Sequence, residues 1–393
     1  MKSNPKKKTI LWSVVIIIFL TGVYLFVNRT FIYRAATYPD QAITQAAWYE
    51  PLETVAGNFS SELPLAPPEK QSISQDALDA AAEYARKKNS AALLVLHQDS
   101  IVLEKYWQGF TRESTTNSMS MAKSILAMLI GIAISEGHID SEDDPVAKYL
   151  PEWANDERAD ITIKHLLQMT SGLRLYDDKA DPFSDLVQMY LGTDAAATAL
   201  AVPAVRPPGE RFQYNNANSL TLGVLLERVT GKRYAFYLSE KIWQPIGAQD
   251  AGYWLDKPDG MARTFCCFFA TGRDWLRLGK MLLHNGQVNT LQVVPESWLK
   301  RMITSSELEP DYGYQIWLGF SDNGRRKKHR SEPFIPRDMY WFDGADIQRL
   351  YIVPSYQLAI VRLGEDPGKW DDSFVVNTLI RGMGNNVVQS FAK

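Results

Sequence analysis

An uncharged apolar run near the amino terminus is the feature that most constrains how this chain can fold. The run extends from Thr9 to Val27, roughly 19 residues, which is about the length of a helix that crosses a bilayer core. Arg29 and Arg34 follow it closely, and more positive charge precedes it, in the form of Lys2, Lys6, Lys7 and Lys8. Because positive flanks stay in the cytoplasm, we expect residues 1–8 to be a cytoplasmic tail, residues 9–27 a transmembrane anchor, and the remainder to be exported.

A cleaved signal peptide is the alternative interpretation of the same run. Its apolar region would be unusually long for a signal peptide, and no small-x-small cleavage site follows at once. We therefore favour an uncleaved, single-pass anchor in the inner (cytoplasmic) membrane, with the body of the protein in the periplasm.

The rest of the chain has the composition of a large globular body. The sequence has 393 residues and a formal net charge of −3. It is long enough for one large or two moderate domains, and it lacks the charge imbalance that favours nucleic acid as a partner. Residues 28–70 mix prolines, small residues and isolated apolar residues, so we expect a tether that packs partly on the body. The body then comprises residues 71–393.

A serine and a lysine stand three residues apart at the mouth of an apolar stretch. Residues 121–134 are apolar enough for a buried helix, and positions i and i+3 share a helical face, so the amine of Lys123 should reach the hydroxyl of Ser120. A serine hydroxyl needs a base to become a nucleophile, and a lysine serves when burial or neighbouring cations lower its pKa. The helix start also offers free N–H groups to a developing oxyanion. S-x-x-K alone occurs often by chance, so a catalytic role for the pair requires further motif residues elsewhere in the chain.

A tyrosine followed by two asparagines forms the second candidate motif. Tyr214, Asn215 and Asn216 follow a Pro-Gly turn and precede a helix-like run at residues 219–229. We expect a loop that points the phenol of Tyr214 into a cleft, where a nearby ammonium lowers its pKa and lets it relay a proton. The amide of Asn216 would hold Lys123 and a substrate carbonyl. A half-buried aromatic and a capping residue are the structural alternatives.

In their order along the chain, these motifs resemble those of the serine β-lactamase and penicillin-binding-protein superfamily. The resemblance is to the class C-like branch, which includes esterases, D-aminopeptidases, D-Ala-D-Ala carboxypeptidases and nylon-oligomer (6-aminohexanoate-dimer) hydrolases. Residues 163–173 resemble the segment H-L-L-x-x-T-S-G-L, residues 270–279 are similar to A-T-x-R-D-L-x-R-F-G, and residues 348–354 are similar to the final strand motif. The resemblance covers the chain from about Gln71 onwards, and the joint occurrence is far more specific than any single motif.

The resemblance implies an α+β fold, β-lactamase/transpeptidase-like, in which an antiparallel sheet flanked by helices is joined by a helix-rich lobe. We expect the sheet lobe to comprise about residues 71–115 and 310–393, and the helical lobe about residues 116–309, with Ser120 in the cleft between them. The residue patterns predict a helix at 74–88, a hairpin at 91–107, strands at 339–343, 348–353 and 358–363, and a helix at 371–381.

The resemblance also implies further site residues. The N–H groups of Ser120 and Gln348 would hold the oxyanion. Trp341 lies on the strand ahead of the family's third motif, so it either lines the acyl pocket or belongs to the core.

The third motif itself departs from the family pattern. A K-T-G or H-x-G sequence should fall near residues 345–347, but neither the basic residue nor the glycine is there, and Gly344 lies a few positions early. Ile347 in place of a glycine would narrow the cleft, and the loss of the cation removes a partner for a substrate carboxylate. The departure therefore favours an amide or ester substrate without that anion.

Neither the cysteines nor the histidines indicate a metal-binding site or a disulfide. Cys266 and Cys267 are adjacent, which rarely suits disulfide geometry, so we expect packed, inert thiols. The histidines are scattered without metal-ligand spacing, so we expect no metal. The predicted chemistry needs no cofactor.

These observations predict a membrane-anchored serine hydrolase that cleaves a small-molecule amide or ester through an acyl-enzyme. Ser120 is the predicted nucleophile, Lys123 its base and Tyr214 the proton relay. A penicillin-binding protein, a D-Ala-D-Ala carboxypeptidase or a β-lactamase is the alternative within the family. A catalytically silent module of the same fold that recognises peptidoglycan is the alternative outside enzymes. The sequence leaves the acyl group, the leaving group and the oligomeric state open.

Overall fold

The structure is a computed structural model that describes residues 5–319 and 330–384. The strands are β1 (Leu52–Val55), β2 (Ser90–His97), β3 (Ser100–Tyr106), β4 (Thr115–Asn117), β5 (Ala251–Trp254), β6 (Phe268–Thr271), β7 (Gln287–Val288), β8 (Leu291–Gln292), β9 (Trp317–Leu318), β10 (Tyr340–Gly344), β11 (Gln348–Val353) and β12 (Leu358–Gly364). The α-helices are α1 (Pro5–Val27), α2 (Arg29–Ala36), α3 (Gln75–Lys87), α4 (Ala122–Ser135), α5 (Ile163–Leu167), α6 (Asp185–Leu191), α7 (Ala195–Ala201), α8 (Asn216–Thr230), α9 (Tyr234–Leu238), α10 (Gly272–Leu283), α11 (Glu296–Met302) and α12 (Asp372–Arg381).

Six strands form an antiparallel sheet in the order β3-β2-β12-β11-β10-β9. Successive side chains of a strand point to opposite faces of the sheet. In β2, Leu93 and Val95 join the core that contains residues of α3 and α12, whereas Leu94 and Leu96 join the core that contains residues of α10. Both faces of the sheet are therefore covered, and β2 is buried along its whole length.

The elements predicted for this layer are confirmed. The predicted helix at 74–88 is α3, the hairpin at 91–107 is β2–β3, the strand at 348–353 is β11, and the helix at 371–381 is α12. The hydroxyl of Ser74 accepts the N–H of Ala77 (3.4 Å), and the carboxylate of Asp371 accepts the N–H of Ser373 (2.9 Å). These side chains cap the two helices and fix where each begins.

Helix α4 crosses the core of the helical lobe and carries Lys123 in its first turn. The helix is apolar on all sides, which is typical of a helix that is buried all round. At Gly131 the ring of Trp298 lies where a side chain would be, since an added Cβ would stand 2.1 Å from its Cδ1 atom. The indole N–H of Trp298 also donates to the carbonyl of Ala127 (2.9 Å). These contacts fix the position of α4, and hence of the residues at its start.

A second, four-stranded sheet lies outside the sequence prediction, which gives the middle of the chain to helices. Its order is β1-β5-β6-β4. Strands this short show too few alternations of polar and apolar residues to be recognised from sequence. The sheet matters for the site because β4 leads directly into Ser120.

The segment predicted as a tether, residues 28–70, packs more closely on the body than that term implies. Tyr49 is fully buried in the main core, and β1 pairs with β5. Arg34 in α2 is also buried, and its guanidinium donates to the carbonyls of Gly192 (3.0 Å) and Asp256 (2.9 Å). The prediction is therefore corrected, because the folded body already includes residues 34–55.

Helix α1 contains the apolar run. The span Thr9–Val27 is long and apolar enough to cross a membrane, by length and composition, and a signal sequence has the same properties. Helical hydrogen bonding continues from α1 into α2, because the N–H of Asn28 donates to the carbonyl of Tyr24 (3.0 Å) and the N–H of Ile32 to that of Asn28 (2.9 Å). Of the predicted cytoplasmic tail, residues 1–4 lie outside the described residues.

Candidate active site

Ser120 lies on a sharp turn between β4 and α4. Met119, just before it, has a φ of +47°, a left-handed conformation that residues other than glycine rarely adopt. The N–H of Met119 donates to Oδ1 of Asn117 (2.9 Å), and the N–H of Ser118 donates to the carbonyl of Phe268 (2.9 Å). These bonds hold the turn, so that the half-buried Ser120 faces a cleft from the start of a helix.

Lys123 lies beneath Ser120. Its Nζ atom is 2.9 Å from the Oγ atom of Ser120 and 2.7 Å from the carbonyl oxygen of Phe265. The contact predicted from the i, i+3 spacing is therefore present. The Phe265 carbonyl, a backbone group that carries no motif, is a partner that the sequence does not reveal.

Burial changes the protonation of Lys123. The residue is 1 % exposed, and this desolvation lowers the pKa of its amine to about 7, although the carboxylate of Asp343 acts in the opposite direction. A large share of the amine is then neutral near pH 7. A neutral amine can accept the proton of the Ser120 hydroxyl across the 2.9 Å contact.

Tyr214 lies just before helix α8, on the loop that the sequence predicts. Asn215 caps the helix, because its Oδ1 atom accepts the N–H of Ala217 (3.0 Å). The half-buried ring of Tyr214 lines the same cleft as Ser120 and stacks on Trp317, with 6.2 Å between ring centroids. The Nζ atom of Lys123 is 5.1 Å from the centroid of the Tyr214 ring. The structure thus brings the nucleophile, the amine and the phenol together.

Asn216 does not contact Lys123 as predicted. It is the first residue of α8, and within residues 5–319 and 330–384 its Oδ1 atom is buried without a hydrogen-bond partner. The amine of Lys123 bonds to Ser120 and to the Phe265 carbonyl instead. The neighbouring residue Asn215 takes the capping role, so the predicted hold of Asn216 on Lys123 is wrong.

Strand β10 lies against the turn that carries the nucleophile. An added Cβ at Gly344 would stand 2.4 Å from the carbonyl oxygen of Ser118, so only glycine allows this approach. The strand is followed by a tight turn at Ala345–Ile347, in which Asp346 and Ile347 have φ values of +55° and +62°. The turn lines the cleft opposite Ser120, as expected for the family's third motif.

Gln348 cannot supply the oxyanion donor that was predicted. Its backbone N–H donates to the carbonyl of Ala345. Its side chain is buried and bonds to the backbone of Gly364, with the amide N–H donating to the carbonyl (2.6 Å) and Oε1 accepting the N–H (3.0 Å). Because these groups already have partners, Gln348 braces the turn rather than facing the substrate.

Trp341 belongs to the core, which is the second of its two predicted alternatives. It is 1 % exposed and packs among apolar residues that include Phe334 and Tyr351. The prediction that Trp341 lines the acyl pocket is therefore wrong. Asp343 lies on the same face of β10, two residues nearer the end of the strand, and it lines the cleft, although no sequence motif singles it out.

The cleft has a volume of about 500 Å³. Of the predicted residues, Ser120 and Tyr214 line it directly, and Ile347 narrows it from the opposite side. The lining residues in the described part of the chain are Ser120, Phe212, Tyr214, Trp317, Asp343, Gly344, Ala345, Asp346 and Ile347.

The segment after α2 supports the nucleophile turn from behind. Ala42 and Ile43 form a small apolar cluster with Met119, the residue before the nucleophile. The N–H of Asn117 also donates to the carbonyl of Ile43 (3.0 Å). A segment without any recognised motif thus helps to shape the site.

The cysteines differ from the prediction. Cys266 and Cys267 form a disulfide with each other, immediately after Phe265, whose carbonyl bonds to Lys123. The expectation of free thiols is therefore corrected. Among the described residues, no group of three or more His, Cys, Asp or Glu side chains is placed to hold a metal ion.

Comparison with known protein families identifies the family to which a chain with this site belongs. The beta-lactamase family profile matches residues 76–381, a range that contains all the described residues that line the cleft. The chain belongs to the beta-lactamase family. Membership confirms the predicted α+β fold, and the serine and lysine at the start of α4 match the S-x-x-K motif of this family.

Several relatives in the beta-lactamase family are named as hydrolases. The chain is 31% identical to the 6-aminohexanoate-dimer hydrolase of Paenarthrobacter ureafaciens over 237 residues, which cover 57% of this chain and 60% of that protein. It is 30% identical to the teichoic acid D-alanine hydrolase of Staphylococcus aureus over 150 residues, 37% of this chain and 35% of that protein. The chain thus matches less than two thirds of the length of either curated relative.

Solved structures show the same fold. A Bacillus anthracis protein described as a candidate 6-aminohexanoate-dimer hydrolase superposes with a TM-score of 0.70 at 20% identity, covering 88% of this chain and 92% of that one. A penicillin-binding-protein homologue from Caulobacter crescentus superposes with a TM-score of 0.60 at 17% identity, covering 78% and 97%. At these identities the likeness establishes the beta-lactamase fold alone.

Proposed function

We propose that this protein is a serine hydrolase that cleaves an amide or an ester through a covalent acyl-enzyme. One observation carries the proposal: the buried amine of Lys123 lies 2.9 Å from the hydroxyl of Ser120, and burial lowers the pKa of that amine to about 7. A lysine whose only task is to stabilise the fold would have no need of a cleft-facing serine as its partner. The pair has the geometry of an activated nucleophile.

The reaction proceeds in two halves. Ser120 Oγ attacks the carbonyl carbon of the substrate while the neutral amine of Lys123 accepts the hydroxyl proton. The tetrahedral intermediate collapses as the bond to the leaving group breaks, and Tyr214 relays the proton held by Lys123 to the departing nitrogen or oxygen, which leaves the amine and the phenol as they began. Water then attacks the acyl-enzyme while Lys123 and Tyr214 accept one of its protons, the bond between the acyl carbon and Ser120 Oγ breaks, and the same proton returns to Oγ as the acid leaves.

Two backbone N–H groups would stabilise the oxyanion. The first belongs to Ser120 at the start of the helical turn. For the second we choose Ala345 in place of Gln348, because Ala345 is exposed in the cleft wall facing Ser120 whereas the N–H of Gln348 already donates to a carbonyl. Gly344 supports this arrangement by bringing the turn close to the nucleophile.

The substrate is proposed to lack a carboxylate next to the scissile bond. The described lining of the cleft contains no lysine, arginine or histidine that could pair with such an anion, and it contains two aspartates. Similarity to a 6-aminohexanoate-dimer hydrolase and to a teichoic acid D-alanine hydrolase also supports an amidase or esterase rather than a penicillin-binding protein.

The location proposed is the outer face of the inner membrane, with α1 as an uncleaved anchor. The length and composition of Thr9–Val27 support a membrane span. The Cys266–Cys267 disulfide supports export, because disulfides persist in oxidising compartments and are rare in the cytosol.

Labelling with a fluorophosphonate probe tests the proposal. Intact-mass and peptide analysis should show one adduct on Ser120, and S120A should lose both the adduct and the hydrolysis of model esters. The control is S60A, because Ser60 is exposed and does not line the cleft. Wild-type rates of ester hydrolysis in S120A would refute the mechanism.

The main alternative within the family is a penicillin-binding protein or β-lactamase. Incubation with a penicillin and, separately, with an activated ester distinguishes the two functions by mass. We expect an adduct with the ester alone. An adduct with penicillin would favour the alternative, and no adduct with either would favour a silent binding module.

A further inference from the structure

The charge of the cleft wall is one-sided and only partly compensated. The charged side chains among the described lining residues are Asp343 and Asp346, both acidic. Asp343 pairs with the buried guanidinium of Arg349, which also donates to Asp372 (2.9 Å). The charge of Asp343 is therefore neutralised within the fold.

Among the residues that the structure describes, Asp346 has no such ion-pair partner. Within residues 5–319 and 330–384 its carboxylate makes no hydrogen bond and no ion pair, although the residue is half-buried in the cleft wall. Burial raises the pKa of this carboxyl, and the nearby carboxylates of Asp366 and Glu365 raise it further, while Lys179 and Arg362 act in the opposite direction. A half-buried carboxylate that no cation contacts directly is unfavourable and gains free energy when a cation binds beside it.

The backbone holds Asp346 in this position despite its left-handed conformation. The guanidinium of Arg362, which is fully buried, donates to the carbonyls of Asp346 (2.6 Å) and Ile347 (3.2 Å). The side chain of Gln348 donates to the same Asp346 carbonyl (3.1 Å). Because consecutive left-handed residues are rare outside glycine, this bracing fixes a turn that would otherwise relax.

We propose that Asp346 determines substrate specificity by pairing with a cationic group of the substrate, an ammonium or a guanidinium, and by repelling a carboxylate. The inference rests on the proposed hydrolase function and names the substrate class of that same cleft. Arg362 is a positioning residue, because it acts on the substrate only through the turn that carries Asp346.

Binding to S120A tests the charge preference without requiring turnover. The probes are n-hexylammonium and hexanoate, which have similar apolar chains and opposite charges, and calorimetry measures their affinities. We expect the ammonium to bind about tenfold more tightly, as a single charge pair in a partly exposed cleft provides. D346N in the S120A background should abolish most of this preference. Asparagine suits the left-handed conformation, so this variant should keep its fold, which thermal unfolding verifies.

D366N in the same background is the matched control. It removes one carboxylate from the same neighbourhood, but Asp366 is exposed and does not line the cleft. The ammonium preference should remain in this control. Equal affinity for the two probes, or a preference that survives in D346N, would overturn the inference.

A kinetic arm separates this inference from the proposed function. Activated esters of 6-aminohexanoate, hexanoate and adipate present an ammonium, a methyl group and a carboxylate at the same distance from the carbonyl. The ratio of kcat/KM for the cationic and anionic esters should exceed tenfold in the wild type and fall in D346N. Loss of all hydrolysis in S120A with an unchanged ratio in D346N would refute the role of Asp346 while leaving the hydrolase intact.

Discussion

Gly344 lies directly against the carbonyl of Ser118, two residues before the nucleophile. A Cβ at Gly344 would stand 2.4 Å from that oxygen, closer than any stable contact. The absence of a side chain at Gly344 thus lets the end of β10 and the turn that follows it approach the nucleophile turn. This glycine stands earlier in the chain than the glycine of the family's third motif.

The G344A substitution should therefore reduce activity. The added methyl group forces β10 away from the turn at Ser118. A misplacement of about 1 Å in a catalytic site lowers kcat/KM by about 10²-fold. Overpacking costs about 1–3 kcal/mol of stability. G384A is the control, because an added Cβ there meets no described atom within 4 Å. Full activity in G344A would show that this approach does not shape the site.

The pH dependence of kcat/KM should report the amine of Lys123. Burial lowers its pKa to about 7, and the neutral form is the base that activates Ser120. Activity should therefore fall about tenfold per pH unit below this value and reach a plateau above it. D343N should shift the midpoint downward, because the carboxylate of Asp343 stabilises the charged amine. A profile that is flat from about two pH units below this midpoint to about one unit above it would contradict the role of Lys123.

The buried amine of Lys123 should also lower the free energy of unfolding of the protein. The pKa of Lys123 is 10.5 in its ordinary state and about 7 in the fold. Below pH 7 the folded protein therefore carries the full cost of a buried charge, and this cost disappears as the pH rises towards 10.5.

K123M should thus be inactive and yet more stable than the wild type at low pH. We expect a gain of about 1 kcal/mol or more at pH 6, since each unit of pKa shift corresponds to about 1.4 kcal/mol and lost hydrogen bonds offset part of it. Urea unfolding at pH 6 and pH 9 measures the gain, which should shrink at the higher pH. K105M, at an exposed lysine, should show neither effect.

The segment before residue 71 should be necessary for stable folding. A protein that begins at Arg29 keeps Arg34, Tyr49 and β1 in their buried positions, whereas one that begins at Gln71 loses them. The shorter protein should be insoluble or unfold at a much lower Tm. Within the longer protein, Y49A should cost about 3–5 kcal/mol. Y33A, at an exposed tyrosine, serves as its control. Equal Tm values for the two lengths would restore the interpretation of this segment as a tether.

The parts of the site that sequence predicts are those fixed by local geometry. Ser120 and Lys123 are one helical turn apart, so their contact follows from spacing alone, and Tyr214 follows from a turn before a helix. The family resemblance then supplies the α+β fold and the cleft between the lobes.

The parts of the site that the sequence does not predict depend on which partner each backbone N–H group bonds to and on where each residue lies along its strand. Whether the N–H of Gln348 is free depends on the turn at Ala345–Ile347, whose left-handed residues are not glycines. Trp341 and Asp343 share a face of β10, and only Asp343 borders the cleft because it lies at the end of the strand, next to Gly344. Strand β1 escapes prediction because four residues carry too little pattern.

Time-resolved mass spectrometry of the protein mixed with an activated ester tests the central claim most directly. We predict a transient species heavier by one acyl group, located on Ser120, whose decay matches the steady-state turnover and which does not form in K123M. Turnover of the ester without any covalent intermediate, or with the acyl group on another residue, would contradict the claim that Lys123 activates Ser120 as a nucleophile.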